Sequence, residues 1–255
     1  MYTAKQVAKM IDHTNLKAYA TEDDLRKLCD EAKKYGFYSV CVNSCPVAFC
    51  AKELEGTDIL TAATIGFPLG QTTIAMKAAE AENAVKDGCR EFDYVINVGR
   101  AKMHDWAYIE EEMTQLTAVA RKTGSCVKVI FENCYLEQEE IAELSRIASR
   151  VKPDFIKTST GFGTGGALVE DVRLMKENCG PDVKVKAAGG VSSWEAAKAA
   201  AIRIPPIVKA IVSRALKDRP VIPTISTHRT KISYSPPPTF QCRSPAARRT
   251  ASKTA

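Results

Sequence analysis

No run of eighteen consecutive apolar residues occurs in this 255-residue chain, so no transmembrane helix and no membrane partner are expected. The first ten residues, Met1 to Met10, carry lysines but no apolar h-region. No secretory leader is expected, and the chain reads as cytoplasmic. Histidine is scarce: His13, His104 and His228 are widely separated, which argues against a histidine-rich metal centre, and no metal is expected. No Cys-x-x-Cys pair exists among the nine cysteines at 29, 41, 45, 50, 89, 126, 134, 179 and 242. Their number is odd, and Cys41 and Cys126 sit inside apolar runs, so they read as reduced, buried thiols rather than as a disulfide or zinc framework. Glycine is absent after Gly190, whereas eight of the twelve prolines follow residue 204.

That shift in composition also explains the net charge of +6. Residues 204–255 hold ten basic residues and one acid, Asp218, a net of +9, which leaves −3 for the first 203 residues. The basic character belongs to the tail, whose only aromatics after residue 204 are Tyr234 and Phe240, so a nucleic-acid partner is not expected. Residues 219–255, rich in Ser, Thr, Pro and Arg, read as disordered, and residues 1–218 as one domain. Ile207–Leu216 has the composition of one short helix.

The first two hundred residues alternate between short apolar runs and helix-patterned stretches. Strands are expected over Ile11–Thr14, Ser39–Asn43, Ile59–Phe67, Glu91–Val98, Val127–Cys134, Phe155–Thr160 and Val183–Ala188. Helices are expected from Thr21, which caps three acids, and over Met76–Asp87, Tyr108–Lys122, Glu137–Val151 and Leu168–Asn178. This alternation implies right-handed βαβ units and a (β/α)8 TIM barrel, with the eighth strand and helix aberrant or missing; an open doubly wound sheet is the alternative.

Barrel active sites lie at the C-terminal ends of the strands. Three polar residues stand out there: Asp93 in Glu91-Phe-Asp-Tyr-Val-Ile-Asn97, Lys157 in Phe155-Ile-Lys-Thr-Ser-Thr-Gly161, and Lys186 in Val183-Lys-Val-Lys-Ala-Ala-Gly-Gly190. A lysine within an apolar strand is costly unless paired or neutral, and a neutral amine is what attack on a carbonyl requires. Lys157 is the expected nucleophile and Lys186 the expected second cation. By strand parity Lys184 and Lys186 face the axis, with Lys184 reaching solvent at the opposite rim. Asp93 is the expected proton carrier within reach of both lysines, and Asp12 supports it from the first strand. The same residues are compatible with a plain buried ion-pair network. Gly161, Gly189 and Gly190 would let backbone N–H groups approach a phosphate; simple tight turns are equally consistent. Gly161-Phe-Gly163-Thr-Gly165-Gly166 also satisfies G-x-G-x-x-G, but so late in the chain, and after a strand bearing a lysine, that a dinucleotide site is a weak reading.

Together these segments resemble the deoxyribose-phosphate aldolases. Phe155–Ala167 and Val185–Val191 resemble that family's two signature segments. Ile11–Leu16, Ser39–Asn43, Thr64–Gly70, Glu91–Gly99 and Val127–Glu132 also match it, in order, over about residues 1–203. The resemblance implies a cofactor-free class I aldolase on a (β/α)8 barrel. Such an enzyme reversibly cleaves 2-deoxy-D-ribose 5-phosphate to acetaldehyde and D-glyceraldehyde 3-phosphate in deoxyribonucleotide catabolism, often as a homodimer. It implies that Lys157 forms the Schiff base, that Lys186 and Asp93 share its protons, and that Asp12 supports them. Gly161, Gly189 and Gly190 match contributors to the phosphate site. The chain departs from the family where Pro205-Pro206 stands in place of a Gly/Ser-rich phosphate loop, a change that a shift of reading frame or an aberrant gene model produces. The alternative is therefore an impaired or non-catalytic phospho-sugar-binding barrel.

Overall fold

The computed structural model describes residues 3–189 and 208–210. Eight parallel strands lie in one sheet, in chain order: β1 Asp12–Thr14, β2 Ser39–Asn43, β3 Leu60–Ile65, β4 Glu91–Val95, β5 Cys126–Ile130, β6 Phe155–Lys157, β7 Lys184–Ala187 and β8 Val208–Ala210. A short helix, α1 Ala4–Ala8, precedes β1. The strands up to β7 are joined by α2 Glu22–Tyr35, α3 Val47–Glu53, α4 Ile74–Lys86, α5 Val98–Lys102 with α6 Trp106–Thr123, α7 Gln138–Val151 and α8 Val169–Asn178. Parallel neighbours need such crossovers, and the sheet curls in the manner of a (β/α)8 barrel.

Local chemistry fixes the helices. Thr21 caps α2 by accepting from the Asp24 N–H at 3.3 Å, while the Asp24 carboxylate accepts from the Thr21 N–H at 2.9 Å. Behind that cap, Leu25, Leu28, Cys29 and Ala32 recur at helical spacing and are buried. α7 repeats the device with Glu137 and Glu140, burying Ile141, Leu144, Ile147 and Ala148.

The two faces of the sheet differ in kind. Val40, Val42, Ala63, Ile65, Phe92, Tyr94, Val127, Val129, Ile156 and Val185 join the helices' apolar side chains in one core. Burying one side chain of that size contributes about 1.5–3 kcal/mol. The alternate positions, facing the axis, are Asp12, Ser39, Cys41, Thr64, Glu91, Asp93, Lys128, Lys157 and Lys186, all buried. The apolar layer thus lies between strands and helices, and the barrel interior holds the charged groups among a few apolar side chains, Ala62, Val95, Ile130 and Phe155.

Strand ends are shorter than the apolar runs. β5 stops at Ile130 rather than Cys134 because Glu132 turns left-handed, φ +59°. β6 stops at Lys157, where the chain leaves for its loop. The short helices α1, α3 and α5 lie outside the helices expected from the sequence. Val208–Ala210 is strand rather than the expected helix: it pairs with the otherwise open edge of β7, Lys186 opposite Lys209. The expectations for Ile202–Ile204 and for residues 219–255 lie outside the described residues.

Candidate active site

Five neighbouring or facing strands deliver one ionic network to the axis. Lys157, the last residue of β6, donates to one Asp93 carboxylate oxygen at 2.6 Å, and Lys128 of β5 donates to the other at 2.6 Å. Lys128 also pairs with Glu91 of β4 and lies 3.4 Å from Asp12 of β1. Asp12 in turn accepts from Lys186 of β7. The register explains the grouping: Asp93 stands opposite Lys128, and Lys157 opposite Lys186.

The pairing of the lysines differs from the sequence expectation. Asp93 contacts Lys157 but bonds Lys128 rather than Lys186 as its second lysine. Lys186 is instead held by Asp12. Lys128 and Glu91 were missed by the sequence reading. The signal was available, since Lys128 sits between Val127 and Val129 at the same strand parity that singles out Lys157. Lys184 is exposed and lies over the Phe155 ring, at the rim where parity places it.

Electrostatics follow from burial and pairing. Burial alone would raise the Asp93 and Asp12 carboxyls, but the surrounding lysines outweigh it, Lys128 and Lys157 for Asp93, Lys186 and Lys128 for Asp12. Both are held below the usual carboxylate range and stay ionised. Burial would lower the Lys128 ammonium, but Asp93, Glu91 and Asp12 raise it well above its ordinary value. Cys41, also facing the axis, is pushed up to about 12 by burial and remains a thiol. Lys157 is 4% exposed, while Asp12, Asp93, Lys128 and Lys186 are at 0%. Within this network, a small molecule from the mouth therefore meets the Lys157 amine first. A primary amine there, bonded to a permanent carboxylate and flanked by fixed cations, can add to a carbonyl and exchange protons with its neighbours.

Above the network the ends of β6 and β7 are sewn together. The Thr158 hydroxyl donates to the Ala188 carbonyl at 3.1 Å and accepts from the Ala188 N–H at 3.0 Å. The Ala167 N–H reaches the Gly189 carbonyl at 3.3 Å. Gly189 has φ +79°, and a Cβ there would stand 3.0 Å from the Gly166 Cα and 3.8 Å from the Gly161 Cα. Gly161, exposed, and Gly189, buried, thus approach one another beside the Ser159 side chain. Gly190 lies outside the described residues.

Comparison with known proteins gives the frame. Residues 6–211 match the DeoC/LacD family aldolases, a span that continues past residue 203 and includes β8. A deoxyribose-phosphate aldolase of Lactobacillus acidophilus is 55% identical over 190 residues, covering 74% of this chain and 80% of that protein. One of Clostridium novyi is 51% identical over 191 residues, covering 75% and 86%. The tetrameric deoxyribose phosphate aldolase of Aeropyrum pernix superposes with a TM-score of 0.75 at 28% identity, covering 83% of this chain and 88% of that one. The chain belongs to the DeoC/LacD aldolase family.

Proposed function

We propose that this DeoC/LacD aldolase cleaves 2-deoxy-D-ribose 5-phosphate reversibly to acetaldehyde and D-glyceraldehyde 3-phosphate through a Schiff base at Lys157. The observation that carries this reading is a buried lysine at the open end of β6, 2.6 Å from a carboxylate that two lysines share. Relatives at 55% and 51% identity that are named for this reaction support the substrate.

The Lys157 amine adds to the C1 aldehyde of the open-chain sugar, and loss of water leaves an iminium. The C3 hydroxyl gives up its proton and the C2–C3 bond breaks, its electron pair passing into the iminium. D-Glyceraldehyde 3-phosphate leaves, and an enamine remains on Lys157. Protonation at C2 and hydrolysis release acetaldehyde and restore the amine. Asp93, held below the usual carboxylate range by its lysines, steadies the cationic iminium and passes protons on, through a water where needed. Lys186, fixed by Asp12, supplies positive charge from the neighbouring strand. The Gly161–Gly189 surface takes the 5-phosphate on backbone N–H groups, and Gly190 belongs to the same reading.

No described helix is long and apolar enough to cross a membrane, and the eight described cysteines are unbonded. Action in the cytoplasm is part of the proposal. A homodimer is part of the proposal, to be read from the mass in solution by light scattering.

Borohydride reduction in the presence of acetaldehyde tests the chemistry. The expected result is an ethyl group fixed on Lys157, found by peptide mass spectrometry and absent from Lys157→Leu, whose cleavage rate falls on the order of 10⁴-fold or more. A folded protein that takes up no label would reject the Schiff base.

A further inference from the structure

After Lys157 the chain passes through Thr158 and Ser159 into the loop that carries Gly161, and that loop has one ionic anchor among the described residues. Glu132 lies two residues beyond β5, is 3% exposed, and has a left-handed backbone, φ +59°. Glu132 precedes the one-turn 3-10 helix Asn133–Tyr135, whereas the two other described non-glycine residues with that conformation follow a helix C-terminus: Lys152 caps α7, and His104 follows α5. Left-handed residues are ordinary there. At a strand end, an unfavourable backbone persists only where its surroundings hold it.

Those surroundings are specific. The Phe131 N–H donates to the Lys157 carbonyl at 3.0 Å, and the Asn133 N–H to the Thr158 carbonyl at 2.9 Å, so bonds on both sides of Glu132 continue along the end of β6. Between them, the left-handed turn directs the Glu132 carboxylate to Thr160. It accepts the Thr160 N–H at 3.2 and 3.3 Å on its two oxygens, and the Thr160 hydroxyl as well. The Thr160 hydroxyl oxygen then accepts the Phe162 N–H at 3.0 Å. Gly161 is therefore held between two tethered residues. The next turn of the loop packs on the same group: a Cβ on Gly163 would stand 2.7 Å from the Cys134 Sγ and 3.1 Å from the Glu132 Cδ. Beyond it, Phe162 meets Phe67, which follows β3, edge to face at 5.3 Å.

We infer that Glu132 is a positioning residue. Its carboxylate sets the backbone of residues 160–163 and so aligns Gly161 for the substrate's phosphate. The inference rests on reading Gly161 and Gly189 as the phosphate subsite. Glu132 bonds the loop, whereas Lys157 bonds Asp93, so phosphate affinity and imine formation are separable.

Glu132→Gln keeps size and shape but turns one acceptor into a donor that faces the Thr160 donors. The expected result is a KM for 2-deoxyribose 5-phosphate raised about tenfold. Turnover of unphosphorylated 2-deoxyribose, and borohydride trapping of acetaldehyde on Lys157, should stay within about twofold, the separation expected when an anchor acts only on the loop. Equal losses on both sugars, or no change on either, would overturn the inference. If the unsubstituted protein itself shows no preference for the phosphorylated sugar, the phosphate reading fails and the inference falls with it, before any variant is made. Should Glu132→Gln not fold, as judged by circular dichroism, Thr160→Val decides. A rise in KM confined to the phosphorylated sugar supports the tether, and an unchanged KM rejects it.

Discussion

At Lys128 three carboxylates meet one ammonium in a space closed to water. Asp93, Glu91 and Asp12 all lie within ion-pair distance, and all four groups are fully buried. Desolvating such charges is expensive, and their mutual attraction offsets that cost only while every partner is present. Lys128→Met removes the shared cation and leaves three acids facing one another. Its unfolding free energy, from urea titration, is expected to fall by about 3–5 kcal/mol. A loss under about 1 kcal/mol would show that the network relaxes without its centre. Lys157 differs from Lys128 in having a single carboxylate partner, and from both Lys128 and Lys186 in its slight exposure, features that suit the reactive role proposed for it.

Between elements, the same physics holds the catalytic strands from behind. Lys77 of α4 donates to Glu112 of α6 at 2.6 Å and to the Val95 carbonyl at the end of β4 at 2.6 Å. Glu112 also accepts the Asn97 N–H at 3.0 Å. Burial pushes the Lys77 ammonium down and the Glu112 carboxyl up, against their attraction for each other, so the pair costs what an apolar pair would not. What it provides is position: it fixes two helices against the exit of the strand that carries Asp93. Lys77→Met alone is expected to destabilise by about 3–5 kcal/mol, because Glu112 is left buried and unpaired. Lys77→Met with Glu112→Leu is expected to recover at least half of that in chemical denaturation. A double variant as unstable as the single one would show that the lost backbone contacts, not the stranded charge, set the cost.

For the whole molecule, the axial network joins β1, β4, β5, β6 and β7, so its titration is a property of the barrel. Asp12 and Asp93 have folded-state values held below their ordinary 3.8. Their contribution is present above that value and is lost as pH falls through the lower folded values. Lys128 lies above its ordinary 10.5, so its contribution is complete below 10.5 and is lost only as pH rises beyond it. Glu112, shifted upward, opposes this on the acid side, and its penalty fades as it protonates. Burial also holds the His13 imidazole below its ordinary 6.5, so the melting temperature is expected to ease downward below that value and to fall steeply below about pH 4. A midpoint that stays level below about pH 4 would contradict the ionic assignment.

Much of this was legible beforehand because strand parity is a local rule. Residues two apart share a face, so Lys157, Lys186 and Asp93, set among apolar neighbours, declare themselves in one dimension. The Thr21 cap and the apolar spacing of α2 are equally local, and so were read correctly. Lys128 obeys the same parity between Val127 and Val129, so its place on the axis is legible by the same rule. Which carboxylate each lysine would meet was not readable at all. Pairing across the axis depends on register between strands far apart in sequence, and Asp12 reaches Lys186 over 174 residues. The left-handed turn at Glu132 is likewise invisible locally, because a glutamate does not favour it; the bonds to β6 and to Thr160 impose it. The sequence by itself determined the alternating fold, the residue types at the strand ends and the lysine proposed for the chemistry. Only the tertiary structure decided the partners, because a buried charge takes the counter-charge that packing brings to it, wherever that lies in the chain.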